Sequence, residues 1–266
     1  MRVTSTTAAK PFLVVSDLHL GAVPAATERR FREFLDQEAR ESAGLLINGD
    51  LFEFGIAYRS VVRRDHVRVL AKLAELVESG LPVYFVAGNH DHVEWGGHVL
   101  QQDVGVQLLP DPVIMDVAGR RALITHGDTV GEGATRMRLE QRLARSRPAL
   151  AFLRWLHPDL MDRLQPYMTS TRRQVRRHAA GQGGGPKRRA PAIEAWARAT
   201  LRDDPSLDLV IAGHAHLPAR VEVEPGRYYL NAGDWITHDS YLVLPENGAP
   251  EIRHWPGGKE AVLSLP

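Results

Sequence analysis

Five short stretches of this 266-residue chain end an apolar run in side chains that can bind a metal ion or move a proton. Two carboxylates, one amide and four imidazoles are the candidate metal ligands: Asp17, His19, Asp50, Asn89, His126, His214 and His216. This set of hard and borderline donors suits Mn²⁺, Fe²⁺ or Zn²⁺ better than Ca²⁺ or Cu⁺. Two such ions about 3.5–4 Å apart can clamp an in-line displacement at phosphorus and activate water near neutral pH. We therefore predict a binuclear metal site suited to phosphoryl chemistry.

The spacing within the stretches supports one shared site. Asp17 and His19 are two residues apart, so both can face one ion in an extended turn. His214 and His216 have the same spacing, but their two rings can serve different ions. Asp50 has two carboxylate oxygens and can bridge a pair of ions. Each of these patterns is weak alone. The Gly-Asn-His-Asp motif after the third apolar run is stronger, because a buried strand gains no stability from ending in it.

Alternating strands and helices must position these residues. Apolar runs predict strands at 11–15, 44–48 and 82–87, and apolar periodicity predicts helices at 27–40 and 60–79. Strand-helix-strand order indicates parallel βαβ units, and ligands bind beyond the carboxyl ends of such strands. Later runs predict strands at 105–109, 112–117, 121–125, 207–212, 219–224, 227–231 and 240–244.

The two predicted helices have recognisable ends and faces. Thr27 would cap the first helix, and Gly80 with Pro82 would end the second. The apolar face of the second helix should comprise Val67, Leu70, Leu73, Ala74 and Val77.

The composition excludes several classes of protein. The chain has no cysteine, which excludes disulfides, thiolate zinc sites and cysteine nucleophiles. A net charge of +1 gives no overall attraction to nucleic acid. No apolar run approaches the roughly 18 residues of a membrane helix, and none near the N-terminus has the length of a secretory signal. We expect a soluble, cytoplasmic protein with a single domain over 1–266.

The order of the motifs resembles that of the calcineurin-like metallophosphoesterase superfamily. The motifs are, in order along the chain, Asp-x-His, Gly-Asp, Gly-Asn-His-Asp, a single His and Gly-His-x-His. The resemblance implies an α/β fold, a four-layered α/β/β/α sandwich, with two divalent ions. We expect Mn²⁺, with Fe²⁺ and Zn²⁺ as alternatives. By the same resemblance, one ion takes Asp17, His19, Asp50 and His216, and the other takes Asp50, Asn89, His126 and His214.

The resemblance also implies a reaction. A metal-bridging hydroxide would attack phosphorus. His90 would stabilise the phosphoryl oxygens or protonate the leaving oxygen, and Asp91 would orient the His90 ring.

Residues 131–200 are expected to form a basic, helical insertion. They hold fifteen Lys and Arg against five Asp and Glu, whereas the rest of the chain holds eighteen against twenty-seven. Apolar residues including Trp155 and Leu156 accompany arginines including Arg172, Arg173 and Arg176. A lid of this kind over the site would suit a substrate with acyl chains and a diphosphate. The alternative is a cap that packs on the sandwich with solvated arginines, and the scarcity of stacking Tyr and Phe disfavours a nucleic-acid surface.

Further motifs narrow the resemblance. Three further motifs, together with the insertion, resemble those of the UDP-2,3-diacylglucosamine hydrolases of lipid A biosynthesis. The motifs are Gly-Asp-Leu-Phe-Glu-Phe from Gly49, Thr-His-Gly-Asp from Thr125 and Tyr-Leu-Asn-Ala-Gly-Asp-Trp from Tyr229. That resemblance implies hydrolysis of a lipid-linked nucleotide sugar to UMP and 2,3-diacylglucosamine 1-phosphate, with peripheral contact at the inner-membrane surface. Well-studied members carry Arg where this chain has His90. The alternatives are a phosphodiesterase or phosphomonoesterase for a soluble nucleotide or phosphoprotein, or a non-catalytic scaffold.

Three residues outside the ligand set are candidates for supporting roles. His92 is placed to contact the side chains of the metal ligands rather than the ions themselves. Asp128 is expected either to cap a following helix or to orient His126. Asp234 is expected to anchor a turn, with closure of the site near the sugar as the alternative.

Overall fold

Two mixed β-sheets face each other in this structure, a computed structural model that describes residues 10–58, 61–130, 142–143, 146–168, 171–172, 175 and 189–256. The strands in these ranges are β1 (Phe12–Val15), β2 (Gly44–Asn48), β3 (Val83–Val86), β4 (Gln107–Leu109), β5 (Val113–Val117), β6 (Arg120–Ile124), β7 (Leu209–Ala212), β8 (Ala219–Glu224), β9 (Arg227–Asn231), β10 (Ser240–Leu244) and β11 (Glu251–His254). The α-helices are α1 (Ala25–Gln37), α2 (Val67–Glu78), α3 (Arg147–Trp155), α4 (Pro158–Met168) and α5 (Ala190–Asp203).

Parallel strands dominate the centre of both sheets. The first sheet has the order β11-β10-β1-β2-β3-β4, with β1 to β4 parallel. The second has the order β5-β6-β7-β9-β8, with β6, β7 and β9 parallel. Helices α1 and α2 connect β1, β2 and β3, which confirms the predicted βαβ units. The candidate ligands follow the carboxyl ends of β1, β2, β3, β6 and β7.

Alternating side chains divide the core into layers. In β1, Leu13 and Val15 pack in the core that contains the buried faces of α1 and α2. Phe12 and Val14 point the other way and pack with residues of the second sheet. Ile193 of α5 packs on the outer face of that sheet. The predicted four-layered sandwich is confirmed, and each fully buried aliphatic side chain contributes about 1.5–3 kcal/mol.

Helix α1 begins at Ala25 rather than at Thr27. Pro24 precedes it with φ −60° and ψ 151°, and its carbonyl accepts the Thr27 N–H. The Thr27 hydroxyl is buried and accepts a hydrogen bond from Arg30 at 3.2 Å. The prediction that Thr27 caps the helix was wrong, because the proline sets the direction of the chain one turn earlier.

Helix α2 begins at Val67, later than its predicted start at 60. The preceding loop buries His66, whose ring stacks on Phe52 with centroids 3.9 Å apart. This contact across the fold outweighs the helical pattern of the local sequence. Val67 was predicted on the core face but is 48% exposed. Gly80 ends the helix as predicted, with φ +90°.

Replacing His66 by Gln should remove an acid-sensitive contribution to stability. Burial lowers the pKa of His66 from 6.5 to about 4, so between these values the unfolded chain binds a proton that the folded chain does not. Stability should therefore fall as the pH decreases through this window, and His66 should account for roughly 2 kcal/mol between pH 7 and pH 5. Urea denaturation of both proteins at the two pH values measures the difference. Equal losses in wild type and variant would contradict the prediction.

The described helices of the insertion pack against two different parts of the fold. Helices α3 and α4 and the turn between them pack in a small core with Phe54, Ile56 and Trp95, to which they contribute Leu150, Leu153, Leu156 and Met161. Helix α5 instead packs on the second sheet, in the outer helical layer. That residues 131–200 form a lid over the site stays a prediction. Among the described helices, none combines the length and the apolar character needed to span a membrane.

Candidate metal centre

The backbone at the strand ends adopts an uncommon conformation. Asp17, His19, Asp50, His214 and His216 all have φ between +50° and +62°. Residues other than glycine are rarely found in this left-handed region, where each costs about 1–3 kcal/mol, and such residues cluster at functional sites. All five belong to the predicted ligand set, so the fold holds these residues in place at a cost to its own stability.

Two glycines allow the ligand loops to approach one another. A Cβ atom on Gly49 would lie 2.2 Å from Nδ1 of His126, and one on Gly88 would lie 2.1 Å from Oδ1 of Asp50. Either contact would force the loops apart. The glycines of the Gly-Asp and Gly-Asn-His-Asp motifs therefore let the strand ends of both sheets meet.

Asp17, His19 and His216 form the first ligand cluster. The Nε2 atom of His216 lies 3.3 Å from Nε2 of His19 and 3.3 Å from Oδ1 of Asp17. The Nδ1 atoms donate instead to carboxylates, His19 to Glu53 at 2.8 Å and His216 to Asp234 at 3.2 Å. In the neutral rings both Nε2 atoms then carry lone pairs that face each other. A cation between them would turn this repulsion into coordination.

Asp50, His126 and His214 form the second cluster, with one ligand atom from each within 4.8 Å of the others. The Nε2 atom of His126 lies 3.4 Å from Oδ2 of Asp50. The same oxygen lies 3.6 Å from Nε2 of His19, so Asp50 joins the two clusters. The Nδ1–H of His126 donates to the backbone carbonyl of Asn48 at 2.9 Å, which leaves its Nε2 with the lone pair.

Among the buried atoms that have no hydrogen-bond partner in the described residues, three belong to predicted ligands. They are Oδ1 of Asp17, Oδ1 of Asn89 and Nε2 of His126. An unsatisfied buried polar atom costs about 1–3 kcal/mol, and each of these three is a predicted ligand atom. Their nitrogen and oxygen chemistry fits divalent ions of the Mn²⁺, Fe²⁺ or Zn²⁺ type.

His90 lies beside the clusters. Its Nδ1–H donates to the backbone carbonyl of Glu53 at 3.1 Å and lies 3.6 Å from the Glu53 carboxylate. Its ring packs edge-on against His19, with centroids 4.8 Å apart. Glu53 therefore contacts the Nδ1 side of both rings and sets their orientation.

Asp91 connects the backbone of the two ligand loops. Its carboxylate accepts three backbone N–H groups at 2.9–3.1 Å, those of Gly88, Asp50 and Phe52. Burial and the nearby charge of Asp50 raise the pKa of Asp91 above its usual range. Asp91 therefore joins the two loops, and Glu53 makes the hydrogen bond to the His90 ring. That Asp91 helps to orient this ring stays a prediction.

The charges at the site favour bound cations. Burial alone would raise the pKa of Asp50, but the neighbouring histidines, His126 first, hold it well below its usual range. Burial alone would lower the pKa of His216, but Asp17 and Asp234 raise it to about 9. Positive charge is therefore stabilised here, and a metal ion would compete with the proton for the same ligand atoms.

The predicted substrate residues of the insertion lie in different surroundings. Trp155 is 82% exposed at the end of α3, whereas the adjacent Leu156 packs in the small core beneath it. Arg172 donates to the carbonyl of Gly21 at 3.1 Å and so connects the insertion to the loop after β1. Arg173 and Arg176 lie outside the described residues.

Two carboxylates that form hydrogen bonds with the ligand histidines were not predicted in that role. Glu53 is fully buried against His19, and Asp234 is bonded both to His216 and to the ring of His238, at 3.0 Å. Both stand in motifs that carried the family resemblance, which was the available signal. Asp234 also anchors a turn, as expected, by accepting the Thr237 N–H at 2.9 Å.

Comparison with known proteins agrees with this geometry. The profile of the calcineurin-like phosphoesterase family matches residues 10–218. A UDP-2,3-diacylglucosamine hydrolase of Vibrio cholerae is 30% identical over 87% of this chain and 93% of its own, and one of Ralstonia nicotianae is 32% identical over 85% and 84%. A dimetal phosphatase structure from Danio rerio is 14% identical, with 93% of this chain and 99% of that chain covered and a TM-score of 0.43. The chain thus belongs to the calcineurin-like phosphoesterases and is a metal-dependent hydrolase.

Proposed function

We propose that the protein hydrolyses the pyrophosphate bond of UDP-2,3-diacylglucosamine to UMP and 2,3-diacylglucosamine 1-phosphate. The observation that carries this proposal is the 30% and 32% identity to UDP-2,3-diacylglucosamine hydrolases over 87% and 85% of the chain. The two clusters joined by Asp50 supply a site at which a phosphoric anhydride can be cleaved.

Two divalent ions, Mn²⁺ as the first candidate, would occupy the clusters. One would be held by Asp17, His19, Asp50 and His216, and the other by Asp50, Asn89, His126 and His214. When bound, the ions would activate water and neutralise charge on the phosphoryl oxygens. Asp91 would keep the loops after β2 and β3 in register, through its three backbone hydrogen bonds.

His90 would act on the phosphoryl group. Since the Glu53 carbonyl takes its Nδ1–H, its Nε2 is the ring atom left for the substrate. From that position a protonated ring can donate a hydrogen bond to a phosphoryl oxygen or a proton to the leaving oxygen.

The outer surface of α3 and α4 would contact acyl chains and the inner-membrane surface. Phe152, Trp155 and Leu160 are 59%, 82% and 43% exposed. Arg147 and Arg154 on α3 are exposed as well. Exposed aromatic residues next to basic ones are typical of helices that bind at the interface of an anionic bilayer.

Replacing Trp155 by Ser should raise KM for the diacylated substrate by about tenfold, because burying a large apolar side chain is worth about 1.5–3 kcal/mol. KM for bis(4-nitrophenyl) phosphate should change much less. The matched control is Ile114→Ser, which removes a side chain that is 47% exposed on β5, an edge strand of the second sheet. If KM for both substrates rises together in the Trp155 variant, the surface of α3 has no special role in lipid binding.

The decisive experiment is a mass-spectrometric assay of the Mn²⁺-loaded protein with UDP-2,3-diacylglucosamine in detergent micelles. Release of UMP supports the proposal. No release, with detergent-independent hydrolysis of a soluble nucleotide or phosphoprotein ester, would favour a phosphodiesterase or phosphomonoesterase. The presence of His90, where well-studied diacylglucosamine hydrolases have Arg, is the observation that keeps this second candidate open.

A further inference from the structure

The backbone of one short segment after β2 holds His90 at two points. The Glu53 carbonyl accepts the Nδ1–H of the His90 ring at 3.1 Å, and the Gly55 N–H donates to the His90 backbone carbonyl at 3.0 Å. Phe54 lies between these two residues in the chain, so a shift of its main chain would move both hydrogen bonds. The position of the His90 ring therefore depends on what fixes Phe54.

The side chain of Phe54 is fixed by the insertion. It is buried, and it shares a small core with Trp95 and with Met161 of α4. The centroid of its ring lies 5.2 Å from that of the Trp95 ring. Leu153 of α3 packs against the same core. Phe54 thus connects the backbone groups that hold His90 with the helices of the insertion.

The neighbouring segment, after β3, is attached to the insertion as well. Arg154 of α3 donates to the Glu94 carbonyl at 2.8 Å. The next residue, Trp95, accepts the Ala57 N–H at 3.0 Å. The helices of the insertion therefore contact both of two adjacent segments that are bonded to each other.

These two segments are packed too closely to slide past each other. A Cβ atom on Gly55 would lie 2.5 Å from Cβ of Asp91, and one on Gly96 would collide with the Gly55 carbonyl oxygen. Closely packed interiors transmit displacements, because they have little free volume in which to absorb them. A movement of Phe54 should therefore reach His90.

From these contacts we infer that Phe54 is a positioning residue for His90, and that the packing of α3 and α4 on Phe54 sets the rate of the chemical step. The insertion thus contributes to turnover, in addition to its proposed contact with acyl chains. A misplacement of about 1 Å can cost an enzyme about 10²-fold in rate. The inference rests on the proposed action of His90 at the phosphoryl group and not on the identity of the substrate.

A double-mutant cycle on the Mn²⁺-loaded protein, with bis(4-nitrophenyl) phosphate as the substrate, tests the inference. Phe54→Leu should lower kcat about tenfold or more, while KM and the metal content stay at their wild-type values. In a His90→Ala background the same substitution should change kcat less than about threefold, because no ring remains to be misplaced. Met161→Ala, which removes a buried side chain of α4 from the same core, should behave like Phe54→Leu.

Leu201→Ala is the matched control. Leu201 is fully buried in α5 and belongs to the core on the outer face of the second sheet. Its truncation destabilises a different part of the fold, so kcat should stay at the wild-type value. This control separates the loss of a positioning contact from the loss of stability in general.

The position of the His90 ring can also be measured without turnover. In the isotope-labelled, Zn²⁺-loaded protein, the NMR signals of this ring are assigned by their loss in His90→Ala. They should shift in Phe54→Leu and stay in place in Leu201→Ala.

Unshifted ring signals in Phe54→Leu would overturn the inference. So would an unchanged kcat in that variant, or a loss of kcat by the same factor with and without His90. None of these measurements uses UDP-2,3-diacylglucosamine, so failure to release UMP from that substrate would count against the proposed function alone.

Discussion

Replacing Asp50 by Asn should remove both ions and reduce turnover by at least about 10³-fold. One carboxylate oxygen of Asp50 lies 3.4 Å from Nε2 of His126 and 3.6 Å from Nε2 of His19, so a single substitution weakens both clusters. Bound ions supply several kcal/mol of charge stabilisation in the transition state, and each 1.36 kcal/mol is a factor of ten in rate. Elemental analysis of the purified variant and its rate on bis(4-nitrophenyl) phosphate measure the two losses.

The control for Asp50 is Asp17→Asn. Both residues are buried carboxylates at strand ends with positive φ, but Asp17 offers a ligand oxygen to the first cluster only, and its Oδ2 accepts the backbone N–H of His214 at 2.9 Å. The Asp17 variant should therefore lose mainly one ion. Asparagine at position 50 can still accept the His90 N–H that Asp50 accepts at 2.9 Å, so the loop can keep its conformation. Two fully occupied ion positions in the Asp50 variant would show that this residue does not bridge.

The positions of the ligands could be predicted because each follows an apolar run closely. A run such as 82–87 predicts a buried strand, and the polar residues after it must then lie at the edge of the sheet. The sequence also predicts which strands are parallel, since a helix separates them. Local pattern and tertiary structure agree in these segments, so reasoning from the sequence succeeds there.

The supporting residues could not be predicted from spacing. Glu53 is 34 positions from His19, and Asp234 is 18 positions from His216, so neither pair shares an element. Their contacts exist only once β2 lies beside β1 and β9 lies beside β7. The error at the start of α2 has the same origin, because the stacking of His66 on Phe52 is a contact between distant segments.

Replacing His90 by Ala should leave both ions bound and lower kcat about 10²–10⁴-fold, the usual contribution of a positioned acid. The ring is expected to contact the substrate through Nε2, since its Nδ1–H is bonded to the Glu53 carbonyl. Metal analysis and kcat for the Mn²⁺-loaded variant test both parts. Loss of an ion together with activity would mean that His90 is itself a ligand.

His90→Arg distinguishes the two ways in which His90 can act. The leaving group of a pyrophosphate is a phosphate, whose second pKa is about 6, so at neutral pH it departs without needing a proton. For UDP-2,3-diacylglucosamine, the main contribution of His90 should then be positive charge beside the phosphoryl oxygens, which Arg supplies permanently. We expect His90→Arg to regain most of the kcat lost in His90→Ala on this substrate, but little of it on a phosphodiester with an alkoxide leaving group, which requires a proton. Recovery on neither substrate would assign proton transfer to His90 in both reactions, and equal recovery on both would exclude proton transfer altogether.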